Sequence, residues 1–154
     1  MKKILIAVDG SDQSMRAVAT GSEIAAKFGA RLFLLHVLRN AELPKNLRQF
    51  ADAEHLSGGP KAVMHKAAQY ILSNAEDLAR EKGVADVETE VLSGPPARTI
   101  VRFSKDQNAD LIVMGRRGLG AGNSSRIDEI GEILVGGVSR RVGILAHCGC
   151  LTVI

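Results

Sequence analysis

Short apolar segments alternate with longer segments of helical periodicity along the chain, and this alternation limits the possible folds more than any other feature. The apolar segments have the length of strands, and they cover 3–8, 32–38, 87–92, 111–114 and 151–154. A strand–helix–strand order predicts parallel strands joined by right-handed crossovers, with helices on both faces of the sheet. The expected fold class is therefore α/β, with a single doubly wound five-stranded parallel sheet.

The segments between the predicted strands carry helix signals. Ser11 or Asp12 is placed to cap the first helix and Gly29 to end it. Further helices are expected over 61–82, from Pro96 or Ala97 and from about Gly137, whereas Arg39 to Pro60 is typical of a long surface loop, whose role stays open. The side chains expected to face the sheet are Met15, Val18, Ala19, Ser22 and Ala26 in the first helix, Val63, Ala67, Tyr70, Ile71 and Leu78 in the second, Ile100, Val101 and Ser104 in the third, and Val138, Val142, Leu145 and Ala146 in the fourth.

Composition narrows the class of protein. A chain of 154 residues with 45% hydrophobic and 24% charged residues has the size of one globular domain, expected over 1–154. The net charge is +3, but Lys and Arg form no block and aromatic residues make up only 3%, which argues against a nucleic-acid partner. No apolar run approaches the roughly 20 residues of a membrane span, and the run after Lys2-Lys3 is too short for a signal peptide. We therefore expect a soluble, cytoplasmic protein that does not bind membranes.

The cysteines and histidines form no recognisable catalytic set. Cys148 and Cys150 are expected to be small residues entering the last strand, with a redox or metal role as the alternative, since no second Cys or His pair stands at zinc-ligand spacing. His36 lies inside an apolar strand, which favours a core histidine with one satisfied nitrogen. Because no local signature joins a nucleophile to a general base, we predict no catalytic residues.

Ligands of doubly wound sheets bind beyond the carboxyl ends of the strands, near the point where the strand order reverses. Asp9 ends the first strand and offers a carboxylate for ribose hydroxyls or Mg²⁺, with capping of the first helix as its alternative role. A glycine-rich segment follows the fourth strand from Gly115, and Gly136-Gly137 precede the last helix. Main-chain N–H groups of glycines, a helix N-terminus and the charges of Arg116 and Arg117 together predict a phosphate cradle, unless the glycines only permit a tight loop.

Two common nucleotide-binding motifs are absent, while a different set of motifs is present. Neither G-x-G-x-x-G nor G-x-x-x-x-G-K-[ST] follows the first strand, which argues against dehydrogenases and P-loop NTPases. The motifs present are IAVDGS at 6–11, LHV at 35–37, GPPA at 94–97, DLIVMGRRGLG at 110–120 and VSRRV at 138–142. Together they span the chain and resemble the universal stress proteins, small doubly wound α/β proteins many of whose members bind ATP. The resemblance implies an adenine nucleotide alpha hydrolase-like fold with strand order 3-2-1-4-5.

The ATP-binding members of that family carry a G-x2-G-x9-G-[ST] signature, which this chain matches in part. Gly115 and Gly118 match its first half, and Gly136 lies where the second half belongs. Seventeen residues, 119–135, stand in place of nine, and Gly137 replaces the hydroxyl residue, with Ser139 as a candidate substitute. Losing one neutral hydrogen bond to phosphate costs about 1 kcal/mol, so we expect weaker binding and not its loss. The extra residues are interpreted as a lid or as a partner-binding protrusion.

Residue by residue, the resemblance implies a nucleotide site at the carboxyl edge of the sheet. Ala7, Val8 and Asp9 are expected at the nucleoside, with the Asp9 carboxylate near the ribose, and the main chain of Val37 at adenine. The residues expected around the pocket and the phosphates are Met114, Gly115, Arg117, Gly118, Gly136, Gly137, Val138 and Ser139. The implied ligand is ATP, with Mg²⁺ at Asp9 as an option and AMP or another adenine compound as alternatives.

The resemblance also implies a homodimer formed through the last strand, Leu151 to Ile154, because an unpaired apolar edge is a liability unless a partner covers it. No other protein partner is indicated. The leading hypothesis is an ATP-binding regulatory or sensing module in the stress response, with at most slow hydrolysis. Two alternatives stay open, namely a Mg-dependent ATPase or nucleotidyl-transfer enzyme using Asp9 and Arg117, and a nucleotide-free dimerisation protein.

Overall fold

A computed structural model of the protein describes residues 1–39, 59–117 and 137–154. Within these ranges the elements are β1 (Lys3–Ala7), α1 (Asp12–Phe28), β2 (Arg31–Leu38), α2 (Gly59–Glu81), β3 (Val87–Ser93), α3 (Pro96–Asp106), β4 (Leu111–Gly115), α4 (Gly137–Leu145) and β5 (Gly149–Val153). The predicted alternation of strands and helices is confirmed. Most of the loop predicted from Arg39 to Pro60, together with Gly118 and Gly136, lies outside the described residues.

The five strands form one parallel sheet in the order β3-β2-β1-β4-β5, which confirms the expected fold class and strand order. β1 is the central strand, and its last residue, Ala7, is paired with Leu35 of β2 on one side and with Met114 of β4 on the other. The chain runs outward from β1 to β2 and β3, and then returns to the other side of β1 for β4. The strand order therefore reverses between β1 and β4, and their carboxyl ends are where a ligand is expected.

Two hydrophobic clusters cover the two faces of the sheet. On one face, α1 and α2 pack against Ile4, Ile6 and Leu34. On the other, α3 and α4 pack against Leu5 and Phe33, among others. Because successive residues of a strand point to opposite faces, β1 and β2 contribute alternate residues to the two clusters. This explains why the strands read as near-continuous apolar runs.

Local signals end α1 as predicted. Ser11 has an extended backbone conformation, and its hydroxyl oxygen accepts a hydrogen bond from the Ser14 N–H at 3.1 Å. Gly29 follows the helix with φ of 59°, the left-handed conformation that glycine adopts without steric cost.

The buried faces of two helices differ from the predicted ones. In α2 the buried residues are alanines and one leucine, whereas Tyr70, which was predicted to face the sheet, is 71% exposed and Ala67 is also exposed. In α4 Val142 is buried as predicted, but Leu145 is 53% exposed. Small side chains at Ala68, Ala75 and Ala79 let α2 approach the sheet closely, and this turns the helix so that Tyr70 faces outward. None of the helices in the described ranges is long and apolar enough to cross a bilayer.

The limits of two elements also differ slightly from the prediction. α2 begins at Gly59, inside the segment that was predicted as loop, with Pro60 in its first turn. Proline is tolerated there because the first helical N–H groups have no partner within the helix. β1 ends at Ala7, so Val8 is not its last residue.

Candidate functional site

The turn after β1 is shaped by hydrogen bonds from its own residues. Val8 is buried, and its N–H donates to the Leu35 carbonyl at 2.9 Å. The Asp9 carboxylate accepts a hydrogen bond from the Ser11 N–H at 3.0 Å, which is the arrangement of an Asx turn. The Asp9 N–H in turn lies 3.4 Å from the Ser14 hydroxyl oxygen. Ser11 therefore caps α1, and Asp9 fixes the turn that leads into the helix.

The end of β2 directs the main chain of Val37 toward β1. Leu35 accepts from Val8, whereas Leu38 accepts from Gly94 on the β3 side. Because the N–H and C=O of one strand residue point to the same side and alternate along the strand, Val37 presents its main-chain groups on the Leu35 side. The β1–β2 register ends at Ala7 and Leu35. The main chain of Val37 therefore points into the space beyond the last paired residues of these two strands.

The end of β4 lies against the start of α1. Met114 is buried, and Gly115 approaches Gln13 so closely that a Cβ atom at Gly115 would lie 2.9 Å from the Gln13 carbonyl carbon and 3.0 Å from the Ser14 nitrogen. These are main-chain atoms that cannot rotate away. Glycine at this position is required by the close approach of α1.

Two side chains hold the segment that follows Gly115. The Arg117 N–H donates to the side-chain oxygen of Gln13 at 2.6 Å. The Ser139 hydroxyl, which is buried, donates to the Arg116 carbonyl at 2.8 Å. Since Ser139 lies in the first turn of α4, these bonds join the ends of β4, α1 and α4 into one arrangement. The contribution of the Ser139 hydroxyl to phosphate binding stays a prediction.

Four predicted site residues that are distant in sequence belong to one hydrophobic cluster and are called the apolar wall below. Ala7, Val37 and Val138 are partly buried, and with the buried Met114 they pack into the same hydrophobic cluster. They come from β1, β2, α4 and β4 respectively. An apolar surface of this kind, beside main-chain groups and one carboxylate, suits a flat heterocycle with a polar edge.

The charged and polar groups of the candidate site include His36, Arg116 and the N-terminus of α4. Burial lowers the pKa of His36 below its ordinary value, although its hydrogen bond to the Val8 carbonyl and the charge of Asp9 oppose the shift. The Arg116 Nε atom is buried and has no hydrogen-bond partner among the described residues. The first turn of α4 contains no acidic residue that would offset the positive end of the helix dipole.

The cysteines lie at the outer edge of the sheet, Cys150 within β5 and Cys148 just before it, and Cys148 also packs against the hydrophobic cluster that contains the apolar wall. Both are free, and burial raises the pKa of each thiol, so the reactive thiolate form is disfavoured at neutral pH. Among the described residues, no group of three or more His, Cys, Asp or Glu side chains is placed to hold a metal ion. An open groove of about 400 Å³ between α2 and β3, floored by Leu72 and Val91, contains none of the predicted site residues.

Sequence reasoning missed Gln13 and understated His36. Nothing in the sequence marks a glutamine in the first turn of α1 as the acceptor for an amide more than a hundred residues later. His36 was correctly predicted to have one satisfied nitrogen, and the structure shows that its partner is the Val8 carbonyl, at 2.8 Å from Nδ1. Both contacts join residues that are distant in sequence, so no local pattern predicts them.

Comparison with known proteins identifies the family. The sequence model of the universal stress protein family matches residues 1–153. The chain belongs to the universal stress protein family. It is 35% identical to the universal stress protein YxiE of Bacillus subtilis over 153 residues, covering 98% of this chain and 97% of that protein.

Two further relatives match nearly the whole of this chain. The chain is 34% identical to the universal stress protein MJ0531 of Methanocaldococcus jannaschii over 152 residues, which is 99% of this chain and 81% of that protein. Among solved structures, a universal stress protein in complex with cAMP is 26% identical, with a TM-score of 0.70, and the match covers 99% of this chain and 97% of that one.

Proposed function

We propose that this universal stress protein binds an adenine nucleotide, ATP in the first instance, and acts as a regulatory or sensing module in the stress response. The observation that carries the proposal is the apolar wall of Ala7, Val37, Met114 and Val138, which lies where the strand order reverses. A relative of similar fold has been solved with cAMP, which is itself an adenine nucleotide. The same family and fold make this role a better account than a nucleotide-free dimerisation protein.

The nucleoside half of the proposed site is formed by the ends of β1 and β2. Adenine would lie against the apolar wall with its polar edge at the N–H and C=O groups of Val37, which point beyond the paired part of the two strands. The ribose would lie near Asp9, because a carboxylate accepts hydrogen bonds from hydroxyl groups. This half needs no side chain from the glycine-rich segment.

The phosphate half is formed by residues 115–117 and the first turn of α4. The Ser139–Arg116 hydrogen bond places the N-terminus of α4 beside the segment that follows β4. Main-chain N–H groups at a helix N-terminus bind anions, and Arg117 adds a positive charge that suits phosphate. Gly118 and Gly136 complete the proposed cradle, and Mg²⁺ would be held by the phosphates together with Asp9.

Two measurements test the proposal. Denaturing the purified protein and analysing the supernatant by mass spectrometry should release an adenine compound, and calorimetric titration should give binding of ATP and AMP. Asp9→Asn should weaken ATP binding about tenfold, because a charge-assisted hydrogen bond is lost, while the amide oxygen still accepts from the Ser11 N–H.

The matched control is Asp12→Asn. Asp12 is exposed in the first turn of α1, three residues away, so its replacement removes the same charge without touching the proposed ribose contact. It should leave the affinity within about twofold of the wild type. Absence of any released compound together with no binding of ATP, AMP or cAMP at millimolar concentration would refute the proposed function.

Binding and hydrolysis are separable in the same preparation. We expect binding of ATP with at most slow release of phosphate in the presence of Mg²⁺, because the described residues of the proposed cradle, 115–117 and 137–139, include no histidine or carboxylate to serve as a general base. Rapid turnover that Asp9→Ala abolishes would instead identify an ATPase or nucleotidyl-transfer enzyme. The proposed compartment is the cytoplasm, where neighbouring free thiols such as Cys148 and Cys150 stay reduced.

The proposal includes a homodimer formed through β5, which lies at the edge of the sheet. The Val153 carbonyl accepts from the Arg116 N–H of the β4 side, so the alternation of the strand directs the main-chain groups of Cys150 and Thr152 outward. Ile154 beyond the strand is 64% exposed. An exposed strand edge with apolar ends suits the same edge of a second copy.

Thr152→Pro tests the dimer, because it removes one outward N–H group without removing a bond to β4. Sedimentation velocity at micromolar concentration should show a dimer for the wild type and for the control Thr152→Val, which keeps the N–H group. Thr152→Pro should shift the protein toward the monomer. A wild-type monomer under these conditions would contradict the dimer and leave the nucleotide site untouched.

A further inference from the structure

His36 makes a contact that the core role of a histidine does not require. Its Nδ1 atom lies 2.8 Å from the Val8 carbonyl oxygen. A carbonyl oxygen only accepts hydrogen bonds, so Nδ1 carries the proton and donates it. The contact joins the residue just after β1 to the residue of β2 that precedes Val37.

The Val8 carbonyl is the next hydrogen-bond acceptor in line beyond the last paired residues of β1 and β2. If the β1–β2 ladder continued in the same parallel pattern, the Val8 carbonyl would accept the next hydrogen bond from the N–H of Val37. The register ends one step earlier, at Ala7 and Leu35. The His36 imidazole, and not the Val37 N–H, therefore donates the hydrogen bond to the Val8 carbonyl.

We propose that His36 is a positioning residue that holds the Val8 carbonyl away from Val37 and thereby keeps the main-chain N–H of Val37 available to the polar edge of an adenine base. The inference rests on the proposed function for its ligand, but the opening of the ladder belongs to the free protein. His36 contacts no ligand atom in this role. It acts only through the end of β1, and Asp9 follows the carbonyl that it holds.

Replacements of His36 separate this role from simple core packing. The side-chain amide of Asn places its N–H close to the position of Nδ1, so His36→Asn should keep the bond to Val8. The longer side chain of Gln places its N–H near the position of Nε2, so His36→Gln is a polar control that should lose it. His36→Leu removes the donor while keeping a side chain of similar volume.

The first readout is amide hydrogen exchange in the free protein, measured by NMR. In the wild type and in His36→Asn, the Val37 amide should exchange about 100-fold faster than the Leu35 amide, which lies inside the ladder. In His36→Leu and His36→Gln the exchange of Val37 should slow toward that of Leu35, because its N–H can now pair with the freed Val8 carbonyl. Equal protection of Val37 and Leu35 in the wild type would overturn the inference.

The second readout is the affinity for AMP, measured by calorimetry. His36→Asn should bind within about threefold of the wild type, whereas His36→Leu and His36→Gln should bind about tenfold more weakly. Equal affinity of all four proteins would also overturn the inference. If the wild type binds no AMP, the proposed function fails, and the exchange measurement still decides the role of His36. Should His36→Leu fail to fold, the comparison of Asn with Gln decides it.

Discussion

The two halves of the proposed site are built by different means. The nucleoside half, at the ends of β1 and β2, is set by a main-chain ladder that stops at Ala7 and Leu35 and by one cross-strand bond from His36. The phosphate half, at the end of β4 and the first turn of α4, is set by the close approach of Gly115 to α1 and by side-chain bonds from Gln13 and Ser139. In the nucleoside half the strand register positions the main-chain groups. In the phosphate half they are positioned by side-chain hydrogen bonds and by the lack of a Cβ atom at Gly115.

This difference predicts different sensitivities to mutation. The phosphate half should be sensitive to added volume, because main-chain atoms of α1 stand where a new side chain would begin. The nucleoside half should be sensitive to the loss of a single donor, because the ladder already fixes the strands and only its last step is open.

The largest effect on stability is expected for Gly115→Ala. Its Cβ would lie 2.9 Å from the Gln13 carbonyl carbon, so α1 or β4 must shift. Overpacking of this kind typically lowers the free energy of unfolding by about 1 to 3 kcal/mol, and we expect the upper part of that range because the neighbour is main chain. Urea denaturation of the wild type and of Gly115→Ala measures the difference in the free energy of unfolding.

Gly137→Ala is the matched control for that experiment. A Cβ atom at Gly137 meets nothing within 4 Å among the described residues, and Gly137 begins α4. Alanine there should leave the free energy of unfolding unchanged or raise it by up to about 1 kcal/mol, since alanine favours the helix. Similar destabilisation by both alanines would show that the approach of α1 does not explain Gly115.

A smaller effect is expected for Ser139→Ala. The buried hydroxyl donates to the Arg116 carbonyl at 2.8 Å, and its loss leaves that carbonyl with one partner fewer. The free energy of unfolding should fall by about 1 to 2 kcal/mol. Ser73→Ala, at an exposed position of α2, should change it by less than about 0.5 kcal/mol. A loss of stability no greater than that of the control would mean that the bond does not tie α4 to β4.

The smallest effect is the pH dependence contributed by His36. Burial lowers the pKa of His36 in the folded protein below its value of 6.5 in the unfolded chain. Between these two pKa values the unfolded chain binds a proton that the folded protein does not, so the stability contributed by His36 is lost as the pH falls below 6.5.

Comparison with His36→Asn isolates this contribution, because asparagine does not titrate in this range. Urea denaturation at pH 7.5, 6.5 and 5.5 should show that the wild type loses more stability on acidification than the variant does. Parallel pH profiles would indicate that burial does not lower the pKa of His36 in the folded state.

Much of this protein follows from its sequence because the relevant signals are local. Apolar runs of strand length, the hydroxyl of Ser11 at a helix start and Gly29 at a helix end act within a few residues, so the order of elements and the fold class could be predicted. The rotation of α2 could not. Tyr70 and Ala67 fit an amphipathic face, but packing against the sheet selected the alanine row instead.

The candidate site likewise has features that can be predicted from the local sequence and features that depend on packing. The sequence alone determined which residues stand at the carboxyl ends of strands, including Asp9, Val37 and Gly115, because strand ends and glycines are readable locally. The side chains that fix the main chain next to these residues become apparent only once the chain is folded. Gln13 accepts a hydrogen bond from the Arg117 N–H, Ser139 donates to the Arg116 carbonyl, and His36 donates to the Val8 carbonyl. The physical reason is that a hydrogen bond between residues far apart in sequence depends on how the elements pack, and neither partner's neighbours in the chain record that distance.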